Sequence, residues 1–195
     1  MKRALMSILF LGILASVSHG AFTHVISDTY EGSVRLNGDQ SLLVTGGGAL
    51  EITAEDASYV EVRNTDSLEQ FVGGIQSLLL DDFSNLNFFN GEMGGFSIHD
   101  DATAILSGGR MDLISSFQQS NLTKHITMIV ELNSIDLTGN VLTGNWLNSG
   151  EAFSITLFDQ SGFDSVYSNI NFVPEPATLV LLGLGGLTVL RGRRR

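Results

Sequence analysis

Four stretches of this chain begin on an aspartate, carry a small hydroxyl residue two positions later and then alternate apolar and polar residues. They are Asp39-Gln40-Ser41-Leu42-Leu43-Val44-Thr45, Asp56-Ala57-Ser58-Tyr59-Val60-Glu61-Val62, Asp82-Phe83-Ser84-Asn85-Leu86-Asn87-Phe88 and Asp101-Ala102-Thr103-Ala104-Ile105-Leu106-Ser107. Their starts lie 17, 26 and 19 residues apart, and glycines punctuate them at Gly46-Gly47-Gly48, Gly73-Gly74, Gly91, Gly94-Gly95 and Gly108-Gly109. A unit of this size cannot bury its own apolar face, so successive copies must stack. The alternation places Ser41, Val60, Leu86 and Ile105 on a common strand face. Gly, Asn and Asp serve corners that need a positive φ or a side-chain cap, with Asp and Ser/Thr oxygens holding backbone N–H groups. The expected fold is all-β, a right-handed parallel β-helix (β-solenoid). Period-two strands with glycine turns also suit an antiparallel β-sandwich, which is the alternative.

Details of the stack follow. Gly32 to Leu36 reads as a partial first coil, and the 26-residue gap as a loop inserted between coils. Leu68 to Leu80 reads as a strand, a turn at Gly73-Gly74 and a second strand. Beyond Arg110 the repeat fades. Lys124 to Leu132 is strongly β-prone. Val141 to Trp146 and Ala152 to Phe158 suggest a hairpin across Asn148-Ser149-Gly150. This β-rich C-terminal cap, with Trp146 and Phe153, would cover the last open coil, whose edges would otherwise aggregate.

Charge is divided sharply. The chain carries 10 Lys+Arg against 21 Asp+Glu. Between Ala21 and Val173 lie only Arg35, Arg63, Arg110 and Lys124 against 20 acids, 4 − 20 = −16 for the body. Such a surface repels phosphate backbones and excludes nucleic acid as a partner. Cysteine is absent, which removes disulfides, thiolate metal sites and a cysteine nucleophile.

The remaining cations sit at the two ends. Lys2 and Arg3 precede an apolar stretch from Ala4 to Val17, and Ser18 and Gly20 supply small residues for signal peptidase, with cleavage expected between Gly20 and Ala21. Residues 1–20 therefore read as a signal peptide with an apolar helix. At the far end, Val173-Pro174-Glu175-Pro176 leads into 14 uncharged residues, Ala177 to Leu190, and then Arg191, Arg193, Arg194 and Arg195. As a helix the uncharged run is about 21 Å long, short for a bilayer core of about 30 Å, but the arginines can snorkel to headgroups and retain that end on the cytoplasmic side. It reads as a transmembrane helix.

This tail resembles the PEP-CTERM sorting tail of Gram-negative bacteria, over about 23 residues. The resemblance implies a transient inner-membrane anchor, recognised at Val173, Pro174, Glu175 and Pro176 by an exosortase. That integral-membrane enzyme cuts near the motif and passes the body to the outer envelope or extracellular matrix. It also implies an association with exopolysaccharide. The expected organisation is a signal peptide (1–20), an exported body with its cap (21–172) and a sorting tail (173–195). The expected partners are signal peptidase, exosortase and an envelope polysaccharide.

Catalysis is not expected, nor is a cofactor. The competing class is a carbohydrate-active enzyme, a polysaccharide lyase or hydrolase on the same scaffold. It needs a basic group beside calcium-binding acids or a set of carboxylates placed for acid–base work, and the four cations of the body are scattered in sequence. Among the histidines, only His99, in His99-Asp100-Asp101, adjoins carboxylates, without zinc spacing. The pairs Asp81-Asp82 and Asp100-Asp101 read as equivalent in adjacent copies. Stacking brings them to about 5 Å, where like charges must splay or share a cation such as calcium. The glycine-rich nonapeptide of calcium β-rolls is absent.

Overall fold

A computed structural model describes residues 21–68, 73–119 and 123–173. The chain advances in a fixed cycle of a short strand, a three-residue link, a seven-residue strand and a four-residue turn. The cycle begins with β1 (His24–Ile26) and β2 (Tyr30–Leu36), then β3 (Ser41–Val44) and β4 (Gly48–Ala54). It continues through β5 (Tyr59–Val62) and β6 (Gly74–Leu80), β7 (Asn85–Phe88) and β8 (Glu92–Ile98), and β9 (Thr103–Leu106) and β10 (Arg110–Ser116). After β11 (Ile126–Ile129) come β12 (Asp136–Thr138), β13 (Val141–Asn145), β14 (Ala152–Asp159) and β15 (Ile170–Val173), with 3-10 turns at Leu132–Ser134 and Val166–Asn169.

Consecutive strands alternate between two sheets. The short strands form one, ordered β1-β3-β5-β7-β9-β11-β15, and the long strands form the other, ordered β2-β4-β6-β8-β10-β14 and continued by β13 and β12. All pairings within the sheets are parallel except the antiparallel β12–β13 and β13–β14. An antiparallel sandwich is therefore overturned. Alternation of apolar residues along one strand reads the same in either architecture. What separates them is the partner, here the strand one full cycle away.

The register is 18 residues: Leu42 pairs with Val60, Leu86 with Ala104 and Leu78 with Phe96. Val60 pairs with Leu86, 26 residues on, so the third cycle holds an insertion of 26 − 18 = 8 residues between β5 and β6; the expected insertion is there, but within a cycle rather than between two. Of the expected strand-turn-strand over Leu68 to Leu80, the second strand is β6, which Gly74 opens, and the first lies largely outside the described residues. β2 also forms a full member of the long sheet rather than a fragment, pairing with β4 from Tyr30 to Leu36.

Stacked inward columns make the core. Leu42, Val60, Leu86, Ala104, Ile126 and Ile170 form one, and Ile26, Val44, Val62, Phe88, Leu106 and Met128 another, all fully or almost fully buried. On the long sheet Val34, Ile52, Leu78, Phe96, Ile114 and Leu157 face them. The expected column of Ser41, Val60, Leu86 and Ile105 was half right. Ser41 aligns with Tyr59, Asn85 and Thr103 on the outer face, and Ile105 is 43% exposed. Side chains alternate with period two, so a slip of one residue turns a side chain to the opposite face.

The slip originates at the corners. Turns close through Gln40 N–H to Asn37 O, Ser58 N–H to Glu55 O, Ser84 N–H to Asp81 O and Ala102 N–H to His99 O. The first central residue of each has a positive φ: Gly38 (65°), Asp56 (55°), Asp82 (54°) and Asp100 (45°). Positive φ at that place alone is the II′ pattern, where aspartate is among the few tolerated non-glycine residues. The equivalent residues are therefore Gly38, Asp56, Asp82 and Asp100, and Asp39 and Asp101 stand one position later. The carboxylates also bond across coils. Asp56 Oδ2 accepts from Gly38 N–H (2.9 Å) and Asp82 Oδ2 from Asp56 N–H (3.3 Å).

The C-terminal end closes as expected. β13 and β14 pair antiparallel, from Val141–Thr156 to Asn145–Ala152, with Gly150 N–H bonded to Trp146 O in the loop. Trp146 is buried, its ring 4.6 Å from that of Phe153, and its Nε1–H donates to Gly109 O (2.7 Å). Among the described residues no helix is long and apolar enough to cross a membrane. The expected signal helix (1–20) and transmembrane helix (177–190) lie outside the described residues.

Candidate functional site

The 18-residue register brings side chains that are far apart in sequence into two exposed groupings. The first is at the turns. Asp81, Asp82 and Asp100 present carboxylate oxygens that all lie within 4.8 Å of one another. The expected pairing of Asp81-Asp82 with Asp100-Asp101 is corrected by the register, which sets Asp82 against Asp100 and Asp81 against His99, leaving Asp101 aside. These three residues are the ones that would face a shared cation. They supply three carboxylates, whereas calcium takes six to eight oxygens, so water would complete the shell.

Without a cation, the crowding favours the protonated form. A hydrogen bond to Asp81, then slight desolvation and the charges of Asp81 and Asp82, raise the Asp100 pKa above the ordinary aspartate value. A carboxyl whose folded-state pKa is raised favours the fold at low pH, and that contribution is lost as pH rises through the raised value. Asp100→Asn tolerates the positive φ and removes the charge. It is expected to raise Tm at pH 7 by about 1–3 °C and to lessen the gain in stability between pH 7 and pH 4. Thermal melts at the two pH values check this; an unchanged Tm at pH 7 would mean the repulsion is already relaxed.

The second grouping is a groove of about 630 Å³ on the outer face of the short-strand sheet. Its floor is the column Thr23, Ser41, Tyr59, Asn85 and Thr103, one residue from each of five successive short-strand segments. Leu86, Ile105 and Ala57 supply apolar wall, and Asp39 is its one charged lining residue. The Phe22 ring stacks near Tyr59, with centroids 6.2 Å apart and planes 20° from parallel. Tyr59 Oη donates to Glu61 Oε2 (2.8 Å) and accepts from Asn87 Nδ2 (2.9 Å). Burial, with the bond to Glu61, pushes its pKa up to about 12, so the hydroxyl keeps its proton. Thr103 Oγ1 donates to Asn85 Oδ1 (2.7 Å). Sequence inspection passed over this row. The available signal was a hydroxyl or amide recurring at 18-residue phase, hidden by the eight-residue insertion.

The basic side chains of the body are each paired, Arg63 with the carboxylate that holds the Tyr59 hydroxyl. Arg35 forms a forked pair with Glu55, Arg63 meets Glu61, Arg110 meets Asp112 and Glu92, and Lys124 Nζ donates to Ile170 O. Of the histidines, His99 packs on Phe117 with centroids 4.2 Å apart, and His125 is buried with Nδ1 at 3.0 Å from Ala102 O. His24 Nε2 lies 3.0 Å from Glu31 Oε1. His24 therefore also adjoins a carboxylate, through the corner between β1 and β2 rather than through adjacent residues.

The expected processing residues frame the described body. Ala21 is its first described residue after the signal region and is exposed. Val173 ends β15, an edge strand, paired with Ile129 and accepting a hydrogen bond from Val130 N–H (3.1 Å). Gly20, Pro174, Glu175, Pro176, Arg191, Arg193, Arg194 and Arg195 lie outside the described residues. Directly after the last paired strand, then, come Pro-Glu-Pro, an uncharged run and an arginine cluster. Residues 172–195 carry the PEP-CTERM protein-sorting motif. The PEP-CTERM match starts at Phe172, inside β15 and one residue before the expected boundary. The motif marks the chain as an exported protein that an exosortase processes at the membrane. No curated protein and no solved structure matches the chain.

Proposed function

We propose that this chain is a non-catalytic surface or matrix protein whose body is a right-handed β-solenoid. Its tail anchors it transiently in the inner membrane; exosortase cuts near Val173–Pro176, and the body passes to the outer envelope or extracellular matrix in association with polysaccharide. The carrying observation is the attachment of a PEP-CTERM motif directly to a stack of parallel strands held in an 18-residue register. Such a stack presents the same outward positions again and again about 4.8 Å apart, which suits an extended polymer. The right hand follows the general preference of parallel crossovers. The pairing of each body arginine with acids, and of Lys124 with a carbonyl, supports a scaffold over a lyase, since among the described residues no base lines the groove that holds Asp39.

Mass spectrometry of the mature protein from its host tests the processing. The expected termini are Ala21 and a residue close to Val173–Pro176. A protein recovered outside cells with Arg195 still attached would overturn it. Incubating the same protein with polysaccharides tests the rest: retention without new reducing ends or unsaturated uronate is expected, and either product would make it an enzyme.

A further inference from the structure

We propose that the groove over β1, β3, β5, β7 and β9 is a binding site for an uncharged polysaccharide chain, laid along the stack with a sugar ring on Tyr59. The inference rests on the polysaccharide association proposed above and assigns it to one face. Four observations lead here. First, the groove crosses five parallel segments, about 19 Å at the usual strand spacing, and so accepts several sugar units in line. Second, its floor is a row of hydroxyl and amide side chains, Thr23, Ser41, Asn85 and Thr103, around one aromatic ring, Tyr59. Flat apolar ring faces with equatorial hydroxyls at their rims need that combination of a stacking surface and neutral hydrogen-bonding groups.

Third, charge selects the ligand class. Among the described residues the lining holds Asp39 and no Lys or Arg, and the one cation that maturation would add is the Ala21 α-amino group, on a body of net charge 4 − 20 = −16. Uronate, sulfate or phosphate chains would meet net repulsion along the groove with no side-chain cation to pair them. Fourth, the backbone of β3, β5, β7 and β9 under the groove is already paired on both sides within the sheet, and only β1 is an edge strand. An extended peptide binds a sheet through free edge groups, whereas this face offers side chains only. Tyr59 is held for the role: its hydroxyl is fixed between Glu61 and Asn87, which orients the ring.

Calorimetric titration of the full chain in mild detergent, with dextran and cello-oligosaccharides as neutral probes and alginate as the charged one, tests the site. Binding of a neutral probe is expected, with little dependence on salt and none detected for alginate. Tyr59→Ala is expected to weaken it at least tenfold, whereas Tyr59→Phe, which keeps the ring, stays within about threefold. Ser77→Ala, on the exposed face of the long sheet, should leave binding unchanged and controls for fold. Neutral binding that survives Tyr59→Ala would overturn the groove and leave polysaccharide association standing. Binding of alginate alone would overturn the charge argument. No binding by the wild-type chain to any probe would overturn the site; the reading behind it then fails only if the mature protein is also released freely from the polysaccharide fraction of its host.

Discussion

Replacing Trp146 by alanine is expected to cost the fold about 3–5 kcal/mol, the largest single-residue loss we anticipate. The ring is 1% exposed, packs at 4.6 Å on Phe153 and donates from Nε1 to the Gly109 carbonyl. It also sits where the chain leaves β13, held by the antiparallel bridge between Val130 and Trp146. Alanine therefore removes an aromatic volume, leaves a half-buried carbonyl without this donor and loosens the hairpin that closes the stack. The surroundings cannot collapse to compensate. Gly109 has φ +76°, and a Cβ there would already meet the Phe88 ring at 2.7 Å, so this corner is packed to contact. Trp146→Phe restores ring packing without the donor and should recover about half of the loss. Urea unfolding checks both. Because each strand pairs only with its neighbours in the sheet, the damage should appear as earlier unfolding of the C-terminal strands with a lowered m-value. A loss below about 1 kcal/mol would mean that the tryptophan is a bystander at the cap.

What the sequence disclosed follows a physical division. Alternation, glycine punctuation and the inserted loop were legible because each is a local property of a few residues. Strand type, stacking and the hairpin over Asn148-Ser149-Gly150 came from that signal. The register was not legible to one residue. Asp39 and Asp101 look like Asp56 and Asp82 in a string of letters, but the equivalence is decided by φ: Gly38 and Asp100 take the left-handed corner. A glycine and three aspartates share that place because both residue types tolerate it. The same slip turned Ile105 from core to surface and hid Ser41 and Thr103 from the groove to which they belong. The His24–Glu31 pair stayed invisible, since it depends on how the chain turns at the corner between β1 and β2. The sorting motif, by contrast, needed no fold to be read.

Tying β15 to β11 is expected to slow exosortase processing at least about fivefold, since local opening of an edge strand limits access to the segment it contains. Phe172 and Val173 belong at once to β15 and to the PEP-CTERM motif, with no linker between strand and Pro174. In the strand, Val173 accepts from Val130 N–H, and Ile170 is fully buried against the core. An enzyme that engages the motif at the membrane therefore competes with the sheet for the same residues. The chain lacks cysteine, so Thr127→Cys with Asn171→Cys would form the one available disulfide, in an exported protein where such bonds persist. The two residues are direct partners across β11 and β15, at a strand spacing within disulfide reach. Precursor and mature forms, separated by mass in cells, give the readout. The double variant should accumulate precursor, Asn171→Cys alone should mature normally, and a short Gly-Ser insertion between Val173 and Pro174 should restore maturation to the locked form by freeing the motif from the strand. Normal maturation of the locked form without the insertion would mean that the body is cut with β15 seated, and that the folded cap itself comes to rest against the membrane enzyme.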